Sequence, residues 1–273
     1  MSLLGSALGV GCTVGPFLGS QAAERLGEDA PVVIAVAMFA LLGAVVFGAL
    51  PETMPKPARA YGGGGGAAAA EGSPLWRDRE VVAALAVLGL PELGLICHTS
   101  VAVNTFAVHH LQLSKAWLAG LSSAVSAMQA AVAGGLCTFL AGRGCSDVAM
   151  MQLGIASFAA TSASIWAWQS PQAIALSAPA AALGNGFLRS IPAAFLSKRV
   201  PRDRQGQAMG LMDMCSAALR VAAPVLAGSL MDRFGGGSVF LGQAVLFTLS
   251  GVCLSFLAPG RGGGAAGRHE KRS

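Results

Sequence analysis

Eight apolar runs of about 20 residues follow one another along the chain, at approximately 3–22, 31–50, 81–107, 118–141, 149–168, 172–196, 207–230 and 239–258. A helix of about 20 residues rises about 30 Å, which is the thickness of a bilayer's hydrocarbon core. A soluble core buries apolar stripes and has no need of runs this long, repeated this often. The pattern predicts an all-α polytopic membrane protein of about eight transmembrane helices. Composition points the same way: 54% of the residues are hydrophobic and only 11% charged, against about 25% charged in soluble domains. The abundance of Gly and Ala suits helices whose backbones approach closely in lipid.

Residues 51–80 separate the second and third runs. They hold Pro51, Pro55, Pro57 and five consecutive glycines at 62–66, with basic residues at both ends, and read as a flexible linker. Residues 259–273 are Gly-rich and basic and read as a disordered tail. The net charge of +5 does not indicate nucleic acid, because the basic residues gather in short segments between apolar runs. Thirteen of the 18 Lys and Arg lie on one side of an eight-span topology (the linker, Arg143, residues 197–206 and the tail), and only Arg25, Lys115 and Arg233 on the other. That bias places the linker and both termini in the cytoplasm. Residues 1–20 lack the basic n-region of a signal peptide.

The chain repeats itself at an offset of 208 residues. Gly15-Pro16-Phe17-Leu18-Gly19-Ser20 lies over Ala223-Pro224-Val225-Leu226-Ala227-Gly228, Glu24-Arg25-Leu26-Gly27 over Asp232-Arg233-Phe234-Gly235, and Pro51 over Pro259. Runs one and two thus recur as runs seven and eight, six helices later and in the same orientation. Parallel six-helix repeats about the membrane normal are the architecture of major facilitator transporters.

The residues themselves resemble that superfamily. Gly11-x-x-x-Gly15-Pro16-x-x-Gly19 is similar to the helix-5 motif of its proton-coupled drug antiporters, with Ser20 where that motif ends in Gly. Leu50-Pro51-Glu52-Thr53 resembles the end of helix 6, and residues 204–210 the loop entering helix 11. The resemblance is nearest to the tetracycline- and multidrug-efflux-like branch. It implies that the visible helices are numbers 5–12 of a six-plus-six fold. Residues 1–50 would be a remnant of the N-terminal half, 51–80 a cytoplasmic linker, and 81–258 the C-terminal half. It further implies a small organic solute, a proton as coupling ion, and a bundle-sealing role for Gly11, Gly15, Pro16 and Gly19.

Ionisable groups within the membrane cost about 2.5–3.5 kcal/mol each at a helix centre, so they face a cavity or a partner. Five lie within the runs: Glu92, His98, Arg189, Asp213 and Arg220. From the cytoplasmic side Glu92 and Arg220 lie roughly 18–20 Å deep, and Arg189 and Asp213 roughly 10 Å. Two opposite-charge pairs at matched depth are therefore possible, Glu92 with Arg220 and Arg189 with Asp213. Asp213 and Arg220, seven residues apart, share a helix face. Glu92 follows Pro91 between Gly89 and Gly94, where a distorted helix could expose backbone groups. A carboxylate near the midplane can alternate between proton and substrate. All five residues are candidates for solute or proton coupling, the alternative in each case being a static structural contact.

No enzyme signature is present. The glycine run at 62–66 lacks a following Lys-Ser/Thr, and no triad or paired carboxylates occur outside the spans. His109 and His110 are too few for a metal site, and the six cysteines form no CxxC pair. No cofactor is expected. The competing expectation to a transporter is a truncated, non-transporting membrane protein, whether an isoform or a fragment.

Overall fold

The computed structural model describes residues 2–27, 29–49, 75–201 and 204–257. Of the expected linker 51–80, residues 51–74 lie outside these residues, as do the tail 259–273 and the Leu50-Pro51-Glu52-Thr53 segment; residues 75–80 are not linker but a 3-10 turn at Leu75–Arg77, the Asp78 cap and the start of the next helix. The described residues hold no strand and eight long helices: α1 (Ser2–Leu26), α2 (Ala30–Ala49), α3 (Arg79–His109), α4 (Lys115–Gly142), α5 (Asp147–Trp168), α6 (Pro171–Ser197), α7 (Gln205–Phe234) and α8 (Ser238–Leu257). Six of them, α2–α5, α7 and α8, are long and apolar enough to cross a membrane. The other two, α1 and α6, have 25 and 27 residues, a length that also spans a hydrocarbon core. Helix α6 carries Asn185 and Arg189 within its apolar sequence.

The 208-residue offset survives in the backbone. Shifting α1 and α2 by it brings their C-terminal ends onto those of α7 and α8, and the start of α2 onto the start of α8. Gly27 and Gly235, which follow α1 and α7, both adopt positive φ, at 103° and 85°. Such a left-handed turn after a helix is the place where a missing Cβ matters. Pro16 and Pro224 occupy equivalent interior positions.

Short polar caps set the remaining boundaries. The Oδ1 of Asp78 accepts from the N–H of Glu80 at the start of α3, and Ser114, Ser146 and Ser170 cap α4, α5 and α6 in the same way. Inside the spans, several hydroxyls bond to the preceding turn: Thr99 donates to the Leu95 carbonyl and Thr248 to Ala244, the partner nearest to hand where water is absent.

The bundle is centred on α3, α5, α6 and α8. Helix α7 lies along α3, α4 along α6, and α1 packs on the outside of α4 with α2 beside it. One half of the core stacks Leu95, Phe158, Phe187 and Phe247; the other holds Phe106, Ile165, Ala223 and Phe240. Glycines let the helices meet: a Cβ at Gly154 of α5 would stand 3.1 Å from Phe187 of α6, and one at Gly94 of α3 2.8 Å from Phe247 of α8. Between 32 and 42, α2 exposes every residue, all apolar. In water such a surface would aggregate, whereas in hydrocarbon it needs no partner.

Two helices carry π-helical turns, Cys97–Ala102 in α3 and Val132–Leu136 in α4. In the first, Val103 N–H bonds to His98 O, five residues back. Distortion was expected at 89–94 around Pro91, but α3 stays α-helical there and departs only from Cys97. A π turn is a rare insertion that re-aims the side chains beyond it.

Candidate functional site

Four of the five membrane-embedded ionisable residues line one cavity. Glu92 reaches it from α3, Arg189 from α6, and Asp213 and Arg220 from α7, with Met151 of α5 and Leu254 of α8 closing the wall; its volume is about 330 Å³. The seven-residue spacing of Asp213 and Arg220 turns both to the same side of α7, as expected. Glu92 is half-buried, and the other three are exposed to the space they line. Two carboxylates and two guanidinium groups thus converge within a membrane bundle.

The expected ion pairs are not formed. Among the described residues no Lys or Arg nitrogen lies within 4 Å of a Glu92 or Asp213 oxygen, the one described bridge being Lys198 with Asp147 at 2.6 Å. Matched depth brings charges to one level, but their separation across the cavity depends on the rotation of each helix. Arg189 turns to its own helix, its Nε donating to Asn185 Oδ1 at 3.3 Å.

His98 faces elsewhere. It is buried in the first π turn, with Nδ1 3.1 Å from Gln243 Oε1 on α8 and its ring edge-on to Phe158. Ser162 of α5 donates to the same Gln243 oxygen at 3.4 Å, so one amide ties three helices together. His98 also borders a second cavity, between α3, α4, α5 and α6, of about 270 Å³; Arg189 lines both. At the helix end His109 and His110 are both exposed, and His110 stacks on Phe106 at 5.3 Å.

The stripe on α1 is not tightly packed. A Cβ at Gly11, Gly15 or Gly19 would meet no atom within 4 Å, although α1 lies along α4.

The sequence reasoning counted charges and so passed over the amides. Asn185 and Gln243 are both about 4% exposed or less and both organise a site. The signal was present: a primary amide inside an apolar span must find a partner or face a cavity.

A sequence model of the Major Facilitator Superfamily matches residues 98–272. No curated protein and no solved structure gives a match. The matched segment covers more than half of the 273 residues and contains Arg189, Asp213 and Arg220 of the charged cavity, so the chain belongs to the Major Facilitator Superfamily and is an integral membrane protein of that transporter family.

Proposed function

We propose that the chain moves small organic solutes across a bilayer by alternating access, coupled to protons, in the manner of the drug- and tetracycline-efflux-like antiporters it resembles. The observation that carries this reading is the convergence of Glu92, Arg189, Asp213 and Arg220 on one cavity inside the bundle. Unpaired carboxylates opposite guanidinium groups form a site that can hold a proton or a charged solute and exchange one for the other. Glu92 is the proton carrier in this scheme. Asp213 and the two arginines set the potential it feels, and His98 serves the adjoining cavity. The open space around Gly11, Gly15 and Gly19 leaves room for a neighbouring helix to close on α1 near Pro16, which is the sealing role the motif implies.

The 208-residue repeat supports numbering the helices as 5–12 of a six-plus-six fold, with 81–258 as a C-terminal six-helix half. The charge bias of the loops supports cytoplasmic linker and termini.

The reading is tested by reconstituting the chain in proteoliposomes containing a pH-sensitive dye and adding cationic, neutral and anionic solutes in turn. At least one solute is expected to move protons, and a protonophore to abolish the signal. Solute flux with no proton movement would overturn the coupling, and absence of any flux would overturn the transport reading itself.

A further inference from the structure

The second cavity has a different chemistry from the first. On α4, Ser122, Ser126 and Gln129 fall at i, i+4 and i+7 and line it together. Their side chains have no protein hydrogen-bond partner among the described residues. Opposite them on α5, Thr161 is 2% exposed, and its Oγ1 makes no hydrogen bond among the described residues. Such groups are costly in an apolar bundle unless something polar occupies the space they face.

The lining's charge limits what that occupant can be. Among the described residues it contains no Asp or Glu, and its one permanent charge is Arg189. The Nε of Arg189 is held by Asn185, while its remaining guanidinium N–H groups have no ion pair or hydrogen bond among the described residues. A guanidinium in that condition presents a planar fork suited to a carboxylate. The rest of the wall mixes the neutral polar residues His98, Thr99, Asn104, Ser177 and Asn185 with apolar surface from Leu121, Val125, Ile165 and Ala178. At about 270 Å³ the space lies just below the roughly 300–1,000 Å³ of drug-sized sites. A small solute with an apolar body and one negative charge meets all of these conditions.

We propose that the cavity between α3, α4, α5 and α6 binds small organic monocarboxylates, with Arg189 gripping the carboxylate and Thr161 and Gln129 hydrogen-bonding to it. This deepens the transporter reading by naming a solute class for the cavity beside the charged one. Arg189 borders both cavities, so a carboxylate bound here places its charge beside the guanidinium that also lines the charged cavity.

The test is equilibrium binding to the detergent-solubilised full chain, read by calorimetry, with three probes of one shape: benzoate, benzamide and benzylammonium. Benzoate is expected to bind at least tenfold more tightly than benzamide, with benzylammonium weakest. Arg189→Gln should remove the preference for benzoate over benzamide, and Arg189→Lys should restore part of it. Ser126→Leu, which fills only this cavity, should weaken benzoate at least tenfold. Equal binding of all three probes by the wild-type chain, or preference for the cation, overturns the proposal without reference to any variant. Benzoate binding that depends on Arg189 but ignores Ser126→Leu places the ligand in the charged cavity and overturns it also. Proton-coupled flux of cations alone would leave the transporter reading standing while this inference fails.

Discussion

Glu92→Gln lowers gradient-driven solute uptake by about tenfold or more, equivalent to roughly 1.4 kcal/mol or more, while downhill solute exchange continues. The amide keeps the shape and the hydrogen-bonding capacity of the carboxyl group but can no longer take up and release a proton. Glu92 is placed for the effect to be large. It sits half-buried on the α-helical part of α3, one residue after Pro91, in the same cavity as Arg189 and Arg220. Among the described residues no Lys or Arg lies within ion-pair distance of it. Proteoliposomes with an imposed pH gradient separate the two modes of movement. Uptake equal to that of the unaltered chain would remove Glu92 from the coupling mechanism.

Gly184→Leu abolishes the folded bundle, and Gly184→Ala costs it about 1–3 kcal/mol. A Cβ at this position on α6 would stand 2.5 Å from the Phe158 ring and 3.0 Å from the Gly154 carbonyl oxygen. The ring cannot give way easily: Phe158 is fully buried, stacked on Phe247 at 5.1 Å and set against the edge of His98. The backbone of α5 at Gly154 is also fixed, by Phe187 on the other side of the contact. Lipid offers the bundle little hydrophobic drive, so close contacts of this kind supply much of its cohesion. Thermal unfolding in detergent reads the difference. Gly120→Ala, which meets nothing within 4 Å, should leave the midpoint unchanged or raise it slightly through helix propensity. Equal midpoints for Gly184→Ala and Gly120→Ala would contradict the packing described for α5 and α6.

The helices were legible because the membrane enforces them. An apolar run of about 20 residues has few other stable conformations in lipid, and the run at 239–258 reappears nearly unchanged as α8. The repeat was equally legible, since Gly27 and Gly235 both take a positive φ at the same offset. The convergence of Glu92, Arg189, Asp213 and Arg220 followed in part from depth and helix face. Their failure to pair did not follow, because no one-dimensional spacing fixes how far α3 stands from α7 across a cavity. The π turn of α3 was invisible too, because Cys97–Ala102 contains no Gly or Pro to mark it. The polar cavity was missed because its lining residues on α4, Ser122, Ser126 and Gln129, carry no charge and look like ordinary breaks in an apolar run.

The central claim is that four charged side chains on three helices share one water-accessible cavity within the membrane. Single-cysteine variants of a chain otherwise free of cysteine test it most directly, with Cys placed in turn at positions 92, 189, 213 and 220 and, as a buried control, at Phe247. Membranes carrying each variant are treated with a small, charged thiol reagent. The account predicts that all four cavity positions react while the Phe247 position, which is fully buried, stays protected. Protection of Glu92 and Arg220 to the level of Phe247 would contradict it.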